Sequence, residues 1–262
     1  MTKVIGIAAQ KGGVGKSTTC RNIATELARN GYKVLAIDCD NQSSMTDCFG
    51  ISEPENLEYT LYHLMMDIMM EREIPDKSDY IIQKEGIDII PSSIELSAIE
   101  INLVSTISRE YVLKTIIDQI KREYDYILLD CMPSLGLMTL NVLAACDSVL
   151  IPATPEYLSV KGLELLLKTI YKVKKRINSQ ITFEGILLTM FDERTNLSKN
   201  MMDMIEVSYG QHIKVFETKI PKSVKVGEAN LQSKSIMEYN PTNKAAIAYQ
   251  EFTKELIKNG NE

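Results

Sequence analysis

Gln10-Lys11-Gly12-Gly13-Val14-Gly15-Lys16-Ser17-Thr18-Thr19-Cys20 is the stretch on which the reading of this chain turns. From Lys11 it runs Lys-Gly-Gly-Val-Gly-Lys-Ser, a variant phosphate loop in which a lysine stands where a first glycine is usual. A loop of this composition turns successive backbone N–H groups toward one point, and its glycines let the backbone approach an anion without Cβ clashes. Polyphosphate is the natural occupant, with Lys16 reaching the β- and γ-phosphates and Ser17 offering its hydroxyl to Mg2+.

The flanks supply the context this motif needs. Val4 to Ala9 is an apolar run that reads as a buried strand, and Ser17 to Arg29 carries Ile23, Ala24, Leu27 and Ala28 at helical spacing. Strand, loop and helix in that order aim a helix N-terminus at the phosphates, which argues against a glycine-rich turn with chance lysines. Further strand-like runs recur at Lys33 to Ile37, Ile87 to Ile90, Tyr126 to Leu129, Ser148 to Ile151 and Thr182 to Thr189, with helix-like segments between them. That alternation predicts an α/β fold, doubly wound, with a mostly parallel sheet covered by helices on both faces. The ligand is then expected outside the carboxyl ends of the strands. The 262 residues contain no repeat, low-complexity tract or linker, and are read as one domain spanning 1–262.

Acids end the later strands. Asp38 and Asp40 leave the run Ala36-Ile37-Asp38-Cys39-Asp40-Asn41-Gln42, where Asp38 would steady a metal or a switch loop and Asp40 would position an attacking water. The plainer alternative is that both solvate a strand end. Tyr126-Ile127-Leu128-Leu129-Asp130 has the apolar run and closing acid of a Walker B strand, and Asp130 would hold Mg2+ through water, because that ion sheds its hydration shell reluctantly.

Composition narrows the classes. No apolar run approaches the ~18 residues of a membrane span, and the N-terminus reads as strand rather than signal peptide, so a soluble cytoplasmic protein is expected. Cys20, Cys39, Cys48, Cys131 and Cys146 include no C-x-x-C pair and read as small buried thiols; His63 and His212 read as surface or packing residues. The net charge of −6 hides an asymmetry: residues 1–150 hold 13 Lys+Arg against 22 Asp+Glu, and residues 151–262 hold 16 against 13. Nucleic-acid contact, if any, is therefore expected from a local C-terminal patch.

Met65, Met66, Met69 and Met70, with Leu64 and Ile68, read as a core or cover helix, or as an adaptable partner face. Glu71 to Lys84 is charged and aperiodic and is read as a loop. Val160 to Ile177 is amphipathic, with Leu163, Leu166, Leu167, Ile170 and Val173 apolar. Its Lys168, Lys172, Lys174, Lys175 and Arg176 form either a solvated face or, with Arg194, Lys199, Lys219, Lys222 and Lys225, a phosphate-contacting surface.

These residues resemble the ParA/Soj group of partition ATPases, relatives of MinD in the deviant Walker A class of P-loop NTPases. The resemblance spans nearly the whole chain: Lys11 to Thr18, Asp38 to Gln42, Ile89-Ile90-Pro91-Ser92, Tyr124 to Gly136 with Thr139-Leu140-Asn141, Leu187 to Asp192, Arg194 to Leu197, and Ile220-Pro221-Lys222. It implies an Mg2+-dependent ATP hydrolase that forms a homodimer when ATP-bound. ATP contacts would come from Lys11, Gly12, Gly13, Val14, Gly15, Lys16, Ser17 and Thr18, and from Met190 and Pro221. Ser17, Asp38 and Asp130 would hold the metal. Lys11, Lys16 and Asp40 would act in hydrolysis, Lys11 by reaching across to the partner's nucleotide.

Arg194 matches the family's DNA-binding arginine, with Lys199, Lys222 and Lys225 as further DNA contacts. Lys222 and Lys225 stand where the family usually has arginine, which keeps charge but loses bidentate geometry. Other departures are Ser17 for Thr, Met132 for Pro, and Asn41-Gln42-Ser43-Ser44 for Pro-Gln-Gly-Asn.

The function so implied is DNA partitioning. An ATP-bound dimer binds DNA without sequence preference, and a ParB-type adaptor stimulates hydrolysis and release, segregating a chromosome, plasmid or mobile element. The alternative is an ATP-switched positioning scaffold for a non-DNA protein cargo. The phosphate loop starts too close to Met1 for a preceding helix-turn-helix, and the tail Glu255 to Glu262 has too little apolar face for a MinD-like membrane role. Localisation is expected to be cytoplasmic, and nucleoid-associated where DNA binding holds. An iron–sulfur carrier would want paired cysteines, and Cys131 has no close companion.

Overall fold

The computed structural model of the chain describes residues 2–259, so the tail reading above falls partly, at Gly260 to Glu262, outside the described residues. Its sheet is built from β1 (Lys3–Ile7), β2 (Val34–Cys39), β3 (Ile82–Lys84), β4 (Ile87–Ile90), β5 (Tyr126–Cys131), β6 (Ser148–Ala153) and β7 (Thr182–Leu188). The order across the sheet is β3-β4-β2-β5-β1-β6-β7, parallel throughout except for the β3–β4 hairpin at one edge. β1 therefore sits between β5 and β6, where the winding changes direction, and its carboxyl end opens into the crevice expected to hold a ligand.

The helices are, in chain order, α1 (Lys16–Arg29), α2 (Ser44–Cys48), α3 (Leu61–Met69), α4 (Lys77–Tyr80), α5 (Ile99–Val104) and α6 (Val112–Ile120). After these come α7 (Leu137–Ala145), α8 (Tyr157–Arg176), α9 (Asn196–Tyr209), α10 (Val224–Leu231), α11 (Ile236–Tyr239) and α12 (Lys244–Asn259). Each sheet face packs its own apolar cluster. Ile5 and Ile7 point into the one covered by α1, α2 and α10 to α12, whereas Val4 and Ala8 point into the one covered by α3 and α5 to α9. Covering on both faces is why β2 and β5 read as nearly unbroken apolar runs.

The methionine segment lies in α3, with Leu64 and Met65 fully buried and Met66, Ile68 and Met69 packed on the same core. All the cysteines are free and buried. His63 is a packing residue at a helix start, where its Nδ1 accepts from the Thr60 N–H at 3.2 Å. No helix among the described residues is long and apolar enough to cross a membrane.

Several expectations are corrected. Glu71 to Lys84 is not all loop: it contains α4 and the edge strand β3, whose three residues are too few and too exposed to show a period. The amphipathic helix starts at Tyr157 rather than Val160. Lys172, Lys175 and Arg176 end α8 just before β7 begins, whereas Arg194 follows the opposite end of that seven-residue strand. A strand of that length spans ~20 Å, which separates Lys172, Lys175 and Arg176 from Arg194 along the sheet.

Candidate functional site

The loop after β1 is shaped by its own backbone. Gly13 at φ +73° and Gly15 at φ +84° occupy the left-handed region that only glycine enters freely. Gly15 caps α1 with no side chain, so the first-turn amides of that 14-residue helix keep no internal partner and point at the crevice. Lys16 opens the helix and is only 6% exposed. The Thr189 hydroxyl at the end of β7 donates to the Val14 carbonyl at 2.8 Å and fixes the loop against the sheet. Met190, at φ +51°, sets its terminal methyl 3.9 Å from where a Cβ on Gly15 would stand. Phe191 bridges to Pro221, and Asn230 on α10 donates its amide to the Thr18 hydroxyl at 3.1 Å. The fold thus brings Met190 and the Pro221 segment, some 180 to 210 residues later in the chain, to the loop of residues 11–18.

Asp38 and Asp130 lie inside strands, whereas Asp40 directly follows β2. Asp38 on β2 and Asp130 on β5 are direct neighbours in register, both fully buried. Asp38 Oδ2 accepts from the Thr46 amide at 2.9 Å and the Thr46 hydroxyl at 2.7 Å, and Oδ1 accepts from the Asp40 amide at 3.1 Å. Burial nonetheless pushes the Asp38 carboxyl up to about 6 against these hydrogen bonds. Asp130 is driven well above the ordinary carboxylate range, first by burial and then by the charge of Asp38. The nearby Ser17 hydroxyl and the Lys16 charge pull it the other way, but neither of its oxygens makes a hydrogen bond of good geometry among the described residues. A buried carboxylate with both oxygens orphaned is costly and marks a place built for something else to complete. No group of three or more His, Cys, Asp or Glu side chains among the described residues makes a self-sufficient metal site.

Of the two roles open to Asp38, its contacts support steadying the switch. One of its oxygens anchors α2 and the other the Asp40 backbone, and Thr46 carries the tie on to the segment after β4 by accepting from the Ser92 amide at 3.1 Å. Between them Asp40 is 6% exposed, with Oδ1 accepting from the Gln42 amide at 3.0 Å. Ser43 holds φ +52° where the resembling family has glycine, a conformation costing a non-glycine residue about 1 kcal/mol, held by the anchored loop around it.

The charged candidates sit around the rim. The Lys11 ammonium is ion-paired to Glu156, at the start of α8. Arg194 is folded back onto Asp192 through two hydrogen bonds of 2.9 Å, which hold the Asp192 carboxyl down to about 2, with Lys222 close enough to add to the effect. The Arg194 side chain is still 89% exposed. Lys199 on α9 and Lys222 are exposed, and Lys225 pairs with Glu228 at 2.7 Å. Thr46, Glu156, Thr189, Asp192 and Asn230 were not picked out by spacing, because each acts on a residue that only the fold brings near or that carries no motif of its own.

A family profile described as an AAA domain matches residues 2–183. The chain is 41% identical over 262 residues to the sporulation initiation inhibitor protein Soj of Bacillus subtilis, a match covering 99% of this chain and 100% of that protein. It is 36% identical over 258 residues to the chromosome partitioning protein ParA of Myxococcus xanthus, covering 98% and 88%. Among solved structures it is similar to cobyrinic acid a,c-diamide synthase of Mycobacterium smegmatis with bound ADP and magnesium, with a TM-score of 0.85 and 30% identity over 100% of this chain and 96% of that one.

Proposed function

Because this chain belongs to the ParA/Soj family of partition ATPases, we propose that it binds ATP with Mg2+ at residues 11–18 and uses hydrolysis to time its release from DNA. The observation that carries this reading is the orphaned, buried Asp130 carboxylate beside Lys16 and the amides opening α1. The fit to a hard divalent cation is good: a carboxylate and the Ser17 hydroxyl are oxygen donors, and the scarcity of further acids suits an ion that takes its remaining ligands from water and phosphate. When bound, Mg2+ supplies neutralisation of the charge on the phosphoryl group in transfer.

The chain's own residues do the rest. Lys16 and the loop amides bind and orient the phosphates, Asp38 keeps α2 and the Asp40 loop in place through Thr46, and Asp40 orients the attacking water. Met190 and Pro221 flank the nucleotide on the far side of the loop. Lys11 leaves Glu156 and reaches the nucleotide of a second copy, which couples ATP to a homodimer. Its present ion pair is easily given up, since pairs at such exposure, 29% and 58% of the two side chains, contribute little. Lys11→Ala is expected to keep nucleotide affinity within a few-fold while losing ATP-dependent dimerisation. Sizing in ATP checks it, and a normal dimer in that variant overturns the trans role.

DNA binding is assigned to Arg194, with Lys199, Lys222 and Lys225 adding phosphate contacts, and a ParB-type adaptor is the expected trigger of hydrolysis. Arg194 must leave Asp192 to grip a phosphate, so the two neighbours should have opposite phenotypes. Arg194→Ala is expected to weaken ATP-dependent retardation of non-specific DNA and reduce its salt slope by about one ion per site. Asp192→Asn is expected to strengthen it. No ATP-dependent retardation by the unmodified chain at low salt would overturn DNA as the matrix and leave a scaffold that positions a protein cargo.

A further inference from the structure

We propose that Glu100 is a positioning residue for hydrolysis: from α5 it fixes the far end of the loop that follows Asp130. This rests on the ATPase reading above. The loop leaves β5 at Cys131 and ends where α7 begins at Leu137. At that end α7 has no cap of its own: Gly136 is its N-cap, no side chain caps it locally, and its first turn contains no acid. Glu100 supplies what is missing from elsewhere in the chain. Its Oε2 accepts from the Leu137 amide at 3.2 Å and its Oε1 from the Met138 amide at 3.0 Å. Charge-assisted bonds to helix-opening amides, aligned with the helix dipole, are among the stronger local contacts a carboxylate makes.

Gly136 is shaped to receive that carboxylate. A Cβ there would collide with Glu100 Oε1 and lie 2.7 Å from Oε2, so any side chain at 136 displaces the carboxylate. The backbone at Gly136, φ −79° and ψ −170°, is open to any residue, so what glycine provides here is room for the Glu100 carboxylate. Glu100 itself is held in place, because Ile99 and Leu103 on either side are fully buried in the core. Farther along α7, Asn141 donates to the Arg109 carbonyl at 2.8 Å and accepts from the Leu113 amide at 3.1 Å. Helix α7 is thus bound at two points to the α5–α6 region, and the loop is suspended between this rigid end and the sheet. Ser134 closes it internally, its carbonyl accepting from the Thr139 hydroxyl at 2.9 Å.

Glu100→Ala and Gly136→Ala attack this contact from opposite sides, one removing the carboxylate and the other expelling it. Each is expected to lower kcat for ATP hydrolysis about ten-fold, the scale of a sub-ångström misplacement near the reacting groups. Affinity for a fluorescent ATP analogue should stay within about three-fold. Amide exchange should quicken across residues 132–138 and not in β5. The double variant should be no worse than either single one, since both remove the same interaction. Glu100→Gln keeps the size and one acceptor oxygen but loses the charge and the second acceptor, and should fold normally and recover part of kcat.

A merely structural role predicts lower thermal stability in both singles with kcat per folded molecule unchanged, and that result, or additive effects in the double variant, overturns the proposal. If the unmodified chain hydrolyses no ATP, the functional reading fails instead, and the exchange of residues 132–138 still decides whether Glu100 holds the loop.

Discussion

Lys16→Ala is expected to weaken ATP binding by at least ~100-fold while leaving a folded protein, as read by titration with a fluorescent ATP analogue and by circular dichroism. The size follows from where Lys16 stands. It is 6% exposed, opens α1, and lies close enough to Asp130 to draw that carboxyl downward against burial and against Asp38. Removing the ammonium deletes the charged contact that the β- and γ-phosphates would receive from this position. A hydrogen bond to a charged group contributes about 1.5–3 kcal/mol, and losing the contacts to two phosphates corresponds to ~100-fold or more in affinity. The same acids explain why the fold should survive: with burial already favouring their neutral forms, they take up protons when the lysine is lost. An affinity within ten-fold of the unmodified chain would show that the loop amides alone carry the phosphate and that Lys16 is dispensable.

The parts of the fold legible in sequence were those in which adjacent residues share one structural task. The glycines of residues 12–15 announce a loop, the apolar runs into Asp38 and Asp130 announce buried strands, and the period of Leu163 to Val173 announces one face of α8. Register was not legible: nothing local says that Asp38 and Asp130 stand side by side, a pairing that adds to the burial which raises the Asp130 carboxyl. Partners were not legible either. Glu100 meets Leu137 and Met138, and Glu156 meets Lys11 from 145 positions away, so neither carries a local signature. Thr46, eight residues beyond Asp38, reads in sequence as an ordinary helix residue, yet it is the link that turns Asp38 into an anchor for α2. Strand β3 was missed because an edge strand paired on one side needs no apolar pattern.

That anchor gives Asp40 its predicted effect, which is on hydrolysis and not on binding. Asp38, through Thr46, fixes α2 after the switch loop, and Asp38 also takes the Asp40 amide, so the Asp40 backbone is pinned between strand and helix. Its Oδ1 is committed to the Gln42 amide at 3.0 Å, while its other oxygen accepts no hydrogen bond among the described residues and is free to hold a water. The Asp40 carboxylate makes no hydrogen bond to Lys16, Ser17 or Asp130 among the described residues, so it contributes chiefly by orienting that water. Asp40→Ala is therefore expected to lower kcat by ~100-fold or more, the range for a positioned acid–base group, with nucleotide affinity changed by only a few-fold. Since dimer dissociation would then wait on a step that no longer occurs, sizing in ATP should find a dimer that persists through hours of incubation, where the unmodified chain returns to monomer as ATP is consumed. Asp40→Asn separates geometry from charge: it retains an oxygen for the Gln42 amide and should fold with the same loop, yet remain slow because its amide cannot draw a proton from the water. Hydrolysis at the unmodified rate in both variants would remove Asp40 from the mechanism, and would leave its contact with Gln42 as a structural turn and nothing more.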